Sequence, residues 1–418
     1  MRILYVRLAV FFCFLLMAGV AHAEGFALYE YGARGVALGG AVMARKPDAS
    51  VVAYNPALMT KLPGIHVMGG VSAITPEGKM RFSNNPDPDD NKTTSLKPST
   101  WLVPHFYYTQ QLNDSFTVGV GEFSRYGLGF EHPHEWPGRF NIYEVALKSA
   151  SLNPNIAWAA TDKLSLAAGV EIVYVTLDMK KRVKPFDLFE VDSNIQDAEA
   201  YGVGFNLAGH YQFTDQWAVG LQYRSQVKVR AWGDIQYSYI RPDNAALKAI
   251  YAGTFHDGKA HSTVILPDSI AGGISWTPIP ELSVEVGAIW TRWSTFRDLN
   301  IHIDPLPTPE GHKHWKDVWR FNIGVEYEPL DWLALRAGYV FDQSPMTGRY
   351  ADYLVPTQDR HIWSLGAGFS WRGWTLDLGY ALIKAKSRSY KASDETHVIQ
   401  SRSHGTTNIL TMSLAYAF

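Results

Sequence analysis

Long stretches of this chain alternate between apolar and small or polar side chains, and that constrains the fold more than any other feature. Near the C-terminus, Leu410, Met412, Leu414, Tyr416 and Phe418 take one face, and Thr411, Ser413, Ala415 and Ala417 the other. The same period recurs over 164–172, 217–224, 333–342 and 375–382. Successive side chains of a β-strand point to opposite faces, so a period of two reads as strand. These segments run roughly 10–15 residues with aromatics near their ends, longer than ordinary soluble strands of about 5–6. One face is continuously apolar. The other carries Gly, Ala, Ser and Thr with isolated charges, among them Glu171, Arg224, Lys228, Glu285, Arg320, Glu326, Arg336 and Asp377. A soluble sandwich would turn its apolar faces inward and use shorter strands. A membrane barrel turns them outward to lipid and pairs the charges inside.

The connections support the barrel. Short turns fall at 160–163, 213–216, 278–280, 328–331 and 371–373, and long polar connections at 84–97, 184–197 and 241–259. Short turns at one end and long loops at the other mark an outer-membrane barrel. Counting from Ile65 to Phe418 gives 14 strands, an even number that closes an antiparallel sheet without edges. The expected fold is therefore all-β, a 14-stranded antiparallel transmembrane barrel over residues 63–418.

Residues 1–23 read as a cleaved secretory signal: Arg2 and Arg7, an apolar run from Leu8 to Val20, then Ala21-His22-Ala23. No later window holds an apolar run long enough for a spanning helix. Removing the signal takes with it the single cysteine, Cys13, and leaves 36 of the 38 basic residues against 40 acidic ones. A cysteine-free exported chain fits a bacterial periplasm or outer membrane. Residues 24–62 do not alternate and are too few for a domain of their own. Their expected place is inside the barrel as a plug, since a barrel of this width leaks when empty.

The negative balance excludes a basic field for nucleic acid. Gly32 to Gly40 lacks the strand and Lys-Ser/Thr of a phosphate loop. His132, His134, His302, His312 and His314 show no recognised zinc spacing, so no metal and no cofactor is expected. No nucleophile elbow points to a rim lipid hydrolase, so the chain reads as no enzyme.

Ordered fragments then give a resemblance. They include Gly25-Phe26-Ala27-Leu28, Gly32 to Ala41, Asp48-Ala49-Ser50 and Tyr54-Asn55-Pro56-Ala57-Leu58. Further along come Trp136-Pro137-Gly138-Arg139-Phe140, Leu266-Pro267-Asp268-Ser269, Trp290 to Ser294, Phe341 to Pro345 and Val355 to Arg360. In order and spacing the chain resembles the FadL family of outer-membrane transporters for long-chain fatty acids and hydrocarbons. The resemblance implies a hatch inside the barrel and passive uptake of hydrophobic molecules, fatty acids first. Aromatic or aliphatic hydrocarbons are the alternative, and a general porin the rival within transport. It implies lateral exit at a kinked third strand near Phe123 to Gly127, where Gly119, Gly121, Gly127, Gly129 and Glu122 interrupt the pattern. It places ligand contacts at Lys316, Asp342, Asp359, Arg360 and Arg182, and gating at Asn55, Pro56, Ala57, Tyr126 and Gly127. Asn55-Pro56-Ala57 is the expected hatch contact to the kink. The implied partners are the hydrophobic ligand, outer-membrane lipid and lipopolysaccharide, with the protein a monomer. The short acidic stretch 184–200 departs from the family's long helical loop, whereas 240–255 keeps the apolar residues of an outer capture surface.

Overall fold

In the computed structural model the described residues are 25–303, 311–394 and 396–418; the expected export signal, residues 1–23, lies outside them. The alternating segments form the wall. In chain order they are β1 Ile65–Phe82, β2 Trp101–Gln111 and β3, which is broken into Phe116–Phe123 and Gly127–Glu131. Then come β4 Glu144–Ala159, β5 Leu164–Val183 and β6 Glu190–Gln212. β7 is Trp217–Arg224 with Val227–Arg241, and β8 is Gly258–Leu266 with Ser269–Ile279. The wall continues with β9 Leu282–Thr291, β10 Val318–Leu330, β11 Leu333–Asp342, β12 Arg360–Trp371, β13 Trp374–Ala385 and β14 Ser401–Ala417. Each strand pairs antiparallel with the next. β14 closes the ring on β1, from His66 opposite Ala417 to Phe82 opposite Ser401. The result is the closed 14-stranded barrel that the alternation called for.

The two faces behave as the pattern requires. Leu410, Met412 and Leu414 are exposed on the outside, while Thr411 and Ser413 are buried on the inside. Glu171, Arg224, Glu285, Arg320, Glu326, Arg336 and Asp377 also face inward and are buried. Lys228 corrects the expectation: it is exposed on the outer face. Between Asn206 opposite Arg224 and Glu199 opposite Trp232, β7 spends one residue more than β6. That bulge at Ser225 and Gln226 flips the alternation of everything beyond it. The connection expected over 184–197 is also shorter than read, because β6 already begins at Glu190.

Residues 25–62 pack within the ring, through α1 (Ala33–Ala37), α2 (Val51–Tyr54) and a 3-10 turn, Pro56–Lys61. α1 sits on glycines of the wall. A side chain at Gly338 would lie 2.4 Å from the Leu38 carbonyl carbon, and one at Gly379 2.5 Å from the Ala33 oxygen. Backbone can approach backbone only where there is no Cβ. Polar locks hold the segment. Arg34 gives two hydrogen bonds to Glu326, at 2.9 and 2.8 Å, and Arg336 a third at 2.6 Å. Glu285 accepts from the Met43 and Ala44 N–H groups at 2.6 and 3.0 Å. Ala33 N–H reaches Ser413 Oγ at 2.9 Å. Buried charges in the lumen are thereby paired rather than stranded.

Candidate functional site

The third strand breaks at Ser124, Arg125 and Tyr126. Phe123 lies opposite Ser151 and Gly127 opposite Lys148, so β3 carries one extra residue against β4. The β4 side chain of Ser149 replaces ladder bonds there: its Oγ accepts from Tyr126 N–H at 3.0 Å and donates to the Tyr126 carbonyl at 2.7 Å. On the other edge the pairing with β2 stops at Phe106 opposite Glu122. Trp101 to His105 and Gly127 to Glu131 are therefore not laddered to each other. The gap is bounded above by Lys97 N–H on the Glu131 carbonyl at 2.8 Å. Gly119 and Gly121 belong to the regular part of β3 and face inward, where Met59 and Val52 of the N-terminal segment press on them.

The start of that segment occupies the inner side of the break. Gly127 N–H bonds the Phe26 carbonyl at 3.0 Å, and Leu28 N–H bonds the Arg125 carbonyl at 2.8 Å. Phe26 is buried in an aromatic cage, with ring centroids 4.8 Å from Trp293, 5.7 Å from Phe296, 5.8 Å from Tyr126 and 5.9 Å from Trp315. Gly25 has φ of 43°, and a side chain there would strike Trp293 at 2.6 Å, so glycine is required on both counts.

A cavity of about 370 Å³ lies at the break. Its lining includes inward residues such as Ile362 and Ile409 and outward ones such as Leu102 and Ala150, so it runs through the wall. A second cavity of about 210 Å³ shares Leu128, Gly129, Arg360 and Ile383 with it. Both are mainly apolar, and the first is of the size that takes small ligands, about 300–1,000 Å³. The charged groups lining the first cavity are Glu30, Glu122, Lys148, Arg320 and Arg360, and behind the wall the two arginines meet Asp342, which is fully buried. Arg360 donates to it at 2.7 Å and Arg320 at 3.3 Å, and the Arg320 guanidinium lies 4.5 Å over the Tyr29 ring. Two guanidiniums thus converge on this one carboxylate.

The expected ligand residues divide. Asp342 and Arg360 meet at the cavity. Asp359 lies beside them and binds Lys386 at 3.2 Å. Arg182 does not join: at the outer ends of β5 and β6 it is consumed by Glu190 at 2.8 Å and Asp192 at 3.1 Å, and by the loop residue Glu135 at 2.9 Å. Lys316 does not join either. The extended loop turns Lys313 and Trp315 inward and leaves Lys316 exposed, so the buried cation is Lys313, paired with Asp352. A further outer cavity of about 200 Å³ is lined by Lys181, Lys313 and Asp352 beside Met179, Ile195 and Leu354. Asn55 corrects a third expectation. Its amide bonds the Met43 and Gly209 carbonyls, at 2.7 and 3.2 Å, and its Oδ1 caps Ala57 N–H at 3.2 Å. The segment reaches the break through Phe26, Ala27 and Leu28 instead, beside Tyr126 and Gly127.

The outer loops add two features. Asn244 caps a helix, Ala245–Thr254 (α3), whose Tyr251 hydroxyl donates to the Tyr237 carbonyl at 2.8 Å. Phe186, Leu188 and Ile250 form exposed apolar surface on neighbouring loops. His312 and His314 come together with Asp298. His312 Nδ1 lies 2.7 Å from the Asp298 carboxylate and both rings pack on Tyr350, which braces the loop.

His132, which lines the second cavity, stacks on Trp136 at 3.7 Å between ring centroids. Burial pulls its pKa from 6.5 down to about 3. The folded loop thus holds the neutral ring, and the unfolded state takes up a proton first on acidification. Its contribution to stability is complete above pH 6.5 and fades as pH falls towards 3. His132→Phe should therefore flatten the acid dependence of hydrogen exchange in residues 132–143. An unchanged pH profile would mean that other groups set it.

Comparison with known proteins agrees with this architecture. The family profile described as "Outer membrane protein transport protein (OMPP1/FadL/TodX)" matches residues 14–418. Outer membrane protein P1 of Haemophilus influenzae is 26% identical over 422 residues, covering 90% of this chain and 89% of that protein. The long-chain fatty acid transport protein of Escherichia coli K12 is 24% identical over 422 residues, covering 92% and 93%. The crystal structure of a Pseudomonas aeruginosa FadL homologue superposes with a TM-score of 0.86 at 18% identity, covering 94% of this chain and all of that one.

Proposed function

Because the chain belongs to the OMPP1/FadL/TodX family of outer-membrane transport proteins, we propose that its cavities carry long-chain fatty acids inward and release them sideways at the break in β3. At the coarser level it is an outer-membrane transporter of hydrophobic compounds and not an enzyme. One observation carries the finer reading: the partly exposed Arg360 guanidinium lines a mainly apolar cavity at the break. An alkyl chain fills the apolar part, and the carboxylate takes Arg360, the more open of the two arginines. Asp342 keeps each Arg from binding the head group too tightly, as a carrier that must release its cargo requires. The cavity's continuation past Leu102 and Ala150 gives the tail a way into the lipid without crossing the periplasmic end.

The test is binding of oleate and toluene to the purified barrel and to Arg360→Ala. In the variant Asp342 stays paired with Arg320. Oleate affinity should fall about 10- to 100-fold, the size of a charge-assisted hydrogen bond. Toluene affinity should not change. Oleate binding indifferent to Arg360 alongside tight toluene binding would move the substrate to neutral hydrocarbons.

A further inference from the structure

We propose that the outer face where β13, β14 and β1 meet is a binding site for the phosphate groups of outer-leaflet lipopolysaccharide. Four cations, Lys384, Lys79, Arg81 and Arg402, share that face with His404 and with one carboxylate, Glu77, which lies opposite Thr406. The register places Lys79 directly opposite His404 and Arg81 directly opposite Arg402. Lys384 lies opposite Thr406, one step along the same face from His404. The side chains of the four cations and His404 are exposed. Arg81 and Arg402 are like charges directly opposite in the ladder and repel, so the arrangement favours an anion between them.

The contrast with the lumen sharpens the point. Inside, Arg34, Arg125, Arg224, Arg320, Arg336 and Arg360 each meet a carboxylate. Outside, among the described residues, Lys79, Arg81, Lys384 and Arg402 have no ion pair, and His404 meets only the Ser387 hydroxyl at 2.8 Å.

Height selects the partner. Below the cluster the outer face is apolar through Leu376, Leu378, Tyr380 and Leu382 on β13 and Leu410, Met412 and Leu414 on β14. Lys384 is in register with His361, which packs against Tyr339, Phe341 and Trp363 in an aromatic row. Such rows mark the boundary of the hydrocarbon. The cations rise from that row on the long-loop side, where a phosphorylated glycolipid presents its phosphates. Arginine forks match phosphate oxygens in pairs.

The experiment compares delipidated wild type with the triple variant Lys79→Gln, Arg81→Gln, Arg402→Gln. Each is incubated with purified lipopolysaccharide or with phosphatidylglycerol, and bound lipid is counted by native mass spectrometry. The triple variant should retain about tenfold less lipopolysaccharide, with phosphatidylglycerol weak and equal in both. Lys163→Gln, at the short-turn end, should retain as much as wild type. Heat-modifiable gel mobility checks that the barrel has closed. If the triple variant fails that check, Arg81→Gln alone gives the reading, as a drop of about threefold. Equal lipopolysaccharide retention in wild type and the folded variant would overturn the proposal. So would phosphatidylglycerol binding as tight as lipopolysaccharide, which would make the cluster a general anion surface.

Discussion

Glu326→Ala should release the N-terminal segment from the wall and turn a plugged barrel into a conducting one. Glu326 is buried and accepts hydrogen bonds from both Arg34 and Arg336. Without it Arg336 keeps Asp377, but Arg34 retains only Asp48 at 3.8 Å. Breaking a buried pair on one side costs about 3–5 kcal/mol, because the remaining charge stays desolvated. α1 can avoid that penalty only by leaving its seat on Gly338 and Gly379. The wall itself stays closed, since its ladder does not depend on the lock. Planar-bilayer recordings should show a large rise in ion conductance, and protease should reach the 25–45 region. Glu326→Gln, which keeps an acceptor, should show a smaller rise. Conductance and cleavage identical to wild type would show that the glycine seat and Glu285 suffice.

Phe26→Ala should act at the other end of the segment, on the break. Loss of a buried phenyl ring costs about 3–5 kcal/mol. The two backbone bonds that tie Phe26 and Leu28 to β3 supply only about 1 kcal/mol each. The remaining hold is too weak to keep the tail in place, and the 370 Å³ cavity gains the volume of the cage. On the proposed route, uptake of a labelled fatty acid into proteoliposomes should rise several-fold, with no change in thermal stability of the barrel. Uptake equal to wild type would show that the tail does not govern passage.

The parts of this structure legible in the sequence are those set by local periodicity. Strands such as 410–418 carry their facing in every second residue, so their number and orientation follow directly. The glycines around Phe123 mark the neighbourhood of the break, though the break itself falls on Ser124, Arg125 and Tyr126. What local pattern cannot carry is phase after an irregularity. A single extra residue at Ser225 and Gln226 sends Lys228 to the lipid side. In the loop before β10, nothing in His314-Trp315-Lys316 says which of Lys313 and Lys316 turns inward. Arg182 fails for a different reason: its partners Glu135 and Glu190 lie on other elements, and only the folded chain brings them together. Asn55 shows the same limit, since Asn-Pro favours a turn wherever it sits and does not name the strand it touches.

The closure of β14 on β1 has a consequence for how the molecule is assembled. Ala33 is bonded to Ser413, 380 positions away, and the Phe418 N–H bonds the Ile65 carbonyl at 2.9 Å. The stretch ahead of β1 is thus fastened to β14, the strand that closes the ring. That stretch lies inside the ring, so the ring must shut around it rather than be filled afterwards. Pairings at such sequence separation are slow to find, because the chain entropy of a long loop is spent before any contact is gained. Until the final strand arrives, β1 and β13 each present an unpaired edge, and an unpaired edge invites pairing with another chain. The protein therefore depends on being kept apart from its neighbours during secretion, for as long as its beginning waits for its end.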